Sequence, residues 1–185
     1  KAGEAITNSF QYAFRNMKRL KEVEFLSSPR VKQTTAERMF LGAGTSNDNF
    51  GTSNPNIKAR LSAFDLSLVS NYVQMFQGCG TVDVDIDTWN FVGLHYVTSS
   101  STGMNGMFAN YSSSPYTQTK ILDSDVYGNT LVNIKNYADT GVAGNFNLSG
   151  ITMNMGGSQF TGTSANIQAR ASLISDYQFT ITDGW

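Results

Sequence analysis

Histidine and cysteine each occur once in this chain of 185 residues, at His95 and Cys79. A single thiol excludes an intrachain disulfide and a cysteine-based metal site within one chain. A single imidazole excludes a multi-histidine metal site. Proline is scarce, with three residues, and charged residues make up only 15% against the usual quarter. No apolar run approaches the ~18 residues of a membrane-spanning helix, so no membrane partner is expected. The catalytic signatures are missing too: there is no Gly-x-Ser-x-Gly elbow and no Gly-x-Gly-x-x-Gly loop. His95 sits in the apolar run Phe91-Val92-Gly93-Leu94-His95-Tyr96-Val97, where a hydrogen-bonded structural histidine is expected rather than a general base. Neither an enzyme nor a cofactor is predicted.

What the chain does have is an uneven charge. Ten of its 13 Lys and Arg and all four Glu fall in the first 60 residues, which with Asp48 carry a net +5; the remainder carries −6. Serine, threonine, asparagine and glycine fill the space left by charge. Twelve Phe and eight Tyr supply enough apolar area to fold, which argues against disorder. Such a composition suits β-rich surfaces of secreted, virion or filament proteins.

Periodicity divides the chain in three. Residues 1–44 read as a charged, helical arm. Within it Ile6, Phe10, Ala13, Met17 and Leu20 step by four and three, the spacing of an apolar helical seam, with Arg15, Lys18, Arg19 and Lys21 on other faces. A second short helix is predicted from Thr34, where Thr34 and Glu37 have capping-box spacing, to Gly42 or Gly44. Residues 45–56 read as a linker loop. Residues 57–185 read as a β-rich body: Val82, Val84 and Ile86 alternate with Asp83, Asp85 and Asp87, as do Ile151, Met153 and Met155, and Ile167, Ala169, Ala171 and Leu173, with their polar neighbours. Strands are also predicted near 89–98, 130–137, 143–149 and 177–183. The segments Gly51–Ser62 and Gly162–Ser172 echo each other as a reused turn and strand. Together these patterns predict a mainly β fold, an antiparallel sandwich or jelly-roll-like barrel with an N-terminal helical arm.

Three carboxylates are the remaining chemical candidates. On one strand face Asp83, Asp85 and Asp87 would stand about 7 Å apart, and oxygen donors of this kind suit calcium. A solvated strand face looks the same and is the expected reading, so no metal is predicted. Asp123-Ser124-Asp125 begins a loop that lacks the terminal Glu of an EF-hand. The expected function is structural: a subunit that self-assembles into a virus or phage particle, a tail or an extracellular filament, in a virion or outside the cell. Its partners would be copies of itself and other particle proteins, met through the apolar seam and the basic residues of the arm. Acids interleaved with those cations argue against nucleic acid, which stays only an unfavoured partner for the basic arm. The competing expectation is a carbohydrate-binding or adhesin-like module stacking sugars on Trp89, Tyr111, Tyr116 or Trp185.

Overall fold

In a computed structural model of the chain, the structure describes residues 10–26, 34–44, 56–79, 81–97, 103–109, 122–140 and 150–184. Their backbone does not run back and forth. It circles, and successive turns of the chain stack in parallel. The first three strands, β1 (Glu22–Glu24), β2 (Asn56–Arg60) and β3 (Thr81–Val84), form one parallel sheet in that order. A second parallel sheet orders β4 (Gly103–Met104), β5 (Thr152–Asn154) and β6 (Thr180–Thr182). Parallel bridges from Thr35 to Asn71 and from Asn71 to Gly103 continue that second ladder toward the N-terminus.

A third side is built from stacked corners. Tyr12, Phe14 and Asn16 donate their amides to the carbonyls of Glu37, Met39 and Leu41; Arg38, Phe40 and Gly42 donate to Val73, Met75 and Gln77; Gln74, Phe76 and Gly78 donate to Asn105, Met107 and Ala109. Each corner closes on itself as well, with Met39 N–H donating to Ala36 O, Met75 to Tyr72 and Met107 to Met104. A turn of this kind needs a left-handed third residue. Tyr12, Arg38, Gln74 and Gly106 fill that place on successive rungs, with φ of 65°, 54°, 56° and 63°. For the three non-glycines this costs roughly 1–2 kcal/mol each. Their side chains recover part of it outside the stack. Arg38 Nε donates to Gln74 Oε1 (2.6 Å) and Arg38 Nη1 to Tyr12 OH (2.8 Å).

Inside the corner runs a column of phenylalanines. Phe14, Phe40, Phe76 and Phe108 stack with centroid spacings of 5.1, 5.0 and 5.3 Å and planes within 10° of parallel. That spacing is close to the ~4.8 Å between paired strands, so the backbone ladder itself places ring on ring. The column rests on a sequence repeat, Met-Phe at 39–40, 75–76 and 107–108, which composition and periodicity did not bring out.

Among the described residues two α-helices complete the fold, α1 (Ser124–Thr140) and α2 (Ser164–Ser175). α1 buries Tyr127, Leu131, Ile134 and Ala138, one stripe of a 3.6-residue period. α2 starts at Thr163, whose hydroxyl accepts the Asn166 amide (3.3 Å), and buries Asn166, Ala169 and Leu173. The helices meet so closely that a Cβ on Gly128 would lie 2.1 Å from Asn166 Nδ2.

The antiparallel sandwich or barrel is therefore overturned: both sheets are parallel, and neither is closed. Apolar alternation marks which residues face the core and is blind to the direction of the neighbouring strand. The corners, which carry the chain round rather than back, decide that direction. The helical arm is overturned with it. Residues 10–20 and 36–44 form corners rather than helices. The four-three spacing of Phe10, Ala13, Met17 and Leu20 arises from consecutive turns. Strands β3 and β5 lie where alternation put them, but 130–137 belongs to α1, 164–173 to α2, and 86–96 mainly to short 3-10 turns. The echo of 51–62 in 162–172 is not structural either, since its copies include β2 and α2 respectively. One apolar cluster joins Ala36, Met39 and Phe40 to Val82, Trp89, Phe108 and Leu131, so residues 34–44 share a core with those beyond 57. The predicted linker lies outside the described residues apart from Asn56, and the strand predicted at 143–149 does so entirely.

Candidate assembly surface and its charges

Sheet β1–β2–β3 carries a charge ladder on its outer side. The register sets Glu22 beside Lys58 and Lys58 beside Asp83, so sign alternates from strand to strand. Lys58 pairs with Glu22. Arg60 grips Asp83 with two bonds from Nη2, at 2.7 and 2.8 Å, and a third from Nη1 to the Asp83 carbonyl at 2.9 Å. Exposed pairs such as these contribute about 0–1 kcal/mol each, and their larger effect is on register, because a one-residue slip would set Lys58 beside Val82 or Val84 and turn the charged side chains to the core side. Arg60 belongs to the basic end of the sequence and Asp83 to the acidic end. Part of the +5/−6 asymmetry is thus neutralised within one molecule.

The three aspartates do not share a strand face. Only Asp83 lies in β3. Asp85 precedes a 3-10 turn at Ile86–Thr88, and Asp87 lies half-buried within it. The Asp85 carboxylate is filled by protein donors: the amides of Leu61 (2.9 Å) and Ser62 (3.0 Å) and the Trp89 indole N–H (2.9 Å). Burial alone would raise its pKa. The bonds from Leu61, Trp89 and Ser62 outweigh burial and hold it below the ordinary aspartate value. Among the described residues no group of three His, Cys, Asp or Glu stands close enough to hold a metal ion.

The predicted seam divides. Phe10 and Leu20 pack on the core, Phe10 edge-on against Phe25 and Phe64 at 6.0 and 5.1 Å. Ala13 is exposed and Met17 is 47% exposed, while Ile6 lies outside the described residues. Arg15, Lys18, Arg19 and Lys21 are all exposed on the same first rung, with the Arg15 guanidinium over the Tyr12 ring at 5.1 Å. These cations therefore project from a corner and the connection to β1, not from the polar side of a helix.

Of the aromatic residues considered for sugar stacking, Trp89 is buried among Tyr72, Phe76 and Phe91, where no sugar reaches it. Tyr111, Tyr116 and Trp185 lie outside the described residues. His95 is half-buried, and desolvation lowers its pKa. The Cys79 thiol donates to the Phe40 carbonyl (2.9 Å), and burial pushes its pKa up to about 12, which leaves it protonated and unreactive at neutral pH.

One polar cluster escaped the sequence reading. Asp183, whose side chain is 1% exposed, accepts from Arg170 Nε and Nη2, both at 3.0 Å, and from the Tyr127 hydroxyl at 2.6 Å. Burial, then the neighbouring carboxylate, raises the Tyr127 pKa far above its ordinary value. The triad ties the chain after β6 to both helices. Its members are 13 and 56 residues apart, and no local pattern links them. Comparison of the chain with protein-family models, with curated proteins and with solved structures finds no match.

Proposed function

We propose that the protein is a structural subunit that self-assembles, with copies of itself and other particle proteins, into a virus or phage particle, a tail or an extracellular filament. The observation that carries this reading is the edge of the first rung, where β1 has no further strand beside it among the described residues. Lys58 N–H donates to the Lys21 carbonyl and Phe25 N–H to the Arg60 carbonyl, so the polar backbone groups of Lys21 and Phe25 turn toward β2. Those of Glu22 and Glu24 then turn away from the sheet, because neighbouring residues alternate. Beside this edge Tyr12, Met17 and Leu26 are 37%, 47% and 85% exposed. A strand edge bordered by apolar side chains is the kind of surface on which another chain adds. Arg15, Lys18 and Arg19 on the same rung supply attraction for the acidic end of a neighbour.

Measuring the native mass from 0.1 to 1 M salt tests the reading, since the Debye length falls over that range from about 10 to about 3 Å. Large species that shrink as salt rises are expected. A monomer at every concentration and ionic strength would refute it.

A further inference from the structure

Asn105-Gly106 is the one Asn-Gly pair in the chain, and it forms the tip of the fourth-rung corner. Met107 N–H closes that corner on the Met104 carbonyl at 3.1 Å. Gly106 has a φ of 63° while that of Asn105 is not positive, which makes the corner a type II turn. Glycine is required at its third place by that φ, and a Cβ there would lie 3.3 Å from Gln74 Cγ. The Asn105 side chain is exposed. Other asparagine side chains are tied down. Asn71 accepts from Val73 N–H and donates to Glu37, Asn90 accepts from Val92 N–H, and Asn133 and Asn166 donate to the carbonyls of Trp89 and Thr161. Among the described residues, neither the Asn105 side-chain amide nor the Gly106 N–H has a hydrogen-bond partner.

A free carboxamide followed by an unbonded amide is set up for acyl transfer within the chain, because glycine has no Cβ to block the approach. We infer that Asn105 is a site of self-modification, converted to aspartate and isoaspartate when its corner opens. The Gly106 nitrogen attacks Asn105 Cγ, and its proton passes to the departing group. The new N–Cγ bond closes a five-membered succinimide, while the Cγ–Nδ2 bond breaks and ammonia leaves. Solvent water then opens the ring and restores the Gly106 N–H. Attack of water at Cγ gives aspartate. Attack at the former main-chain carbonyl gives isoaspartate, whose backbone runs through Cβ and Cγ. The closed corner opposes the first step. A type II turn holds Asn105 ψ at about +120°, which turns the Gly106 nitrogen away from Cβ. Ring closure needs that bond to rotate, and rotation swings the Asn105 carbonyl off the Gln74 N–H that it accepts at 3.0 Å. The modification therefore records openings of the fourth rung, and loss of ammonia makes the record permanent. In isoaspartate the carbonyl that met Gln74 has become a free carboxylate, so the modified corner cannot close as before.

Peptide mapping by mass spectrometry of the full chain, incubated at mildly alkaline pH, is the test. Aspartate and isoaspartate are expected at position 105 before they appear at any of the hydrogen-bonded asparagines named above. The rate should be roughly tenfold or more below that of a synthetic peptide of residues 103–109, because only the open fraction of the folded chain reacts. Unfolding the chain in urea should erase that difference. In thermal melts the isoaspartate form should unfold below Asn105→Asp, which adds the same charge without the longer backbone. Reaction first at a hydrogen-bonded asparagine, or none at position 105 in the folded chain while the urea-unfolded chain reacts, would overturn the site. Equal rates in the folded chain and the peptide would overturn the control by the corner, and equal melting of the isoaspartate form and Asn105→Asp would overturn its consequence.

Discussion

Truncating one ring of the phenylalanine column should cost most in the middle and least at the end. Phe76 is 1% exposed, with Phe40 stacked at 5.0 Å on one side and Phe108 at 5.3 Å on the other. Phe76→Ala removes a fully buried ring and leaves a cavity that neighbours fixed in a backbone ladder cannot close, a loss of about 3–5 kcal/mol. Phe14 is half-buried and has one parallel-stacked partner, Phe40 at 5.1 Å. Phe14→Ala should therefore cost about 1–2 kcal/mol, from partial burial plus its stacked contact with Phe40 and its edge-on contact with Phe25 at 6.4 Å. Phe76→Leu keeps most of the apolar area and loses both stacked contacts, which at about 0.5–1.5 kcal/mol each predicts an intermediate loss of about 1–2 kcal/mol. Urea unfolding of the three variants reads these differences directly, provided the slope with denaturant is unchanged. Equal losses for Phe14→Ala and Phe76→Ala would refute the column as a cooperative feature. A Phe76→Leu variant as stable as wild type would show that the rings contribute area and nothing more.

Asp85→Asn should destabilise the protein by about 1–3 kcal/mol at pH 7, because one amide oxygen replaces a carboxylate that accepts three hydrogen bonds. The Asp85 pKa is depressed in the folded state, so its stabilisation is present above the ordinary value of 3.8 and fades as pH falls through the folded value. Thermal melts should show the wild-type advantage shrinking below about pH 4, and a constant gap down to pH 2 would contradict the assignment. Gly128→Ala drives a methyl into the Asn166 amide and should cost about 1–3 kcal/mol. A double-mutant cycle with Asn166→Gly should recover much of that loss, and strict additivity would mean that the helices do not meet there. Arg170→Met leaves the buried Asp183 carboxylate without its cation and should cost about 3–5 kcal/mol at neutral pH in chemical denaturation. A change below 1 kcal/mol would place Asp183 in water.

Val82 with Val84, and Met153, were legible as strand residues because a strand that buries one side writes its period into the sequence. The direction of pairing was not legible. It depends on left-handed corners occupied by Tyr12, Arg38 and Gln74, residue types that do not announce a positive φ as glycine does. A later turn of the same corners does have glycine at positive φ, Gly42 on the second rung and Gly78 on the third, and the aligned runs Met39-Phe40-Leu41-Gly42-Ala43-Gly44 and Met75-Phe76-Gln77-Gly78-Cys79-Gly80 are the signal that could have exposed the stack. Unequal connections between rungs hide that repeat from any fixed period. In α2 the sequence supports two readings at once: Ile167, Ala169, Ala171 and Leu173 alternate like a strand, while Ala169 and Leu173 share the buried side of a helix. The cap at Thr163 is the local cue that separates them. Similarly, Asp123-Ser124-Asp125, weighed as a metal loop, begins a helix, with Asp123 accepting the Asp125 amide at 2.9 Å. At the candidate surface, the basic residues of the first rung were found from charge alone. Their place on a corner, and the intramolecular partner of Asp83, depended on contacts between distant rungs.

Because the bonds between rungs run along the stack axis, the molecule has a mechanical grain. Tension applied between the first and last rungs loads those bonds lengthwise, a few at a time, whereas tension across a rung would shear them all together. The last rung is fastened to both helices through Asp183, so yielding should begin at the first, where Phe14 has a single parallel-stacked neighbour. A subunit of this design lengthens under load by shedding whole rungs and keeps the rest of its phenylalanine column closed, and a pulling trace with one all-or-none rupture would contradict that picture. Inside a particle or filament it would behave as a graded, extensible link rather than a brittle one.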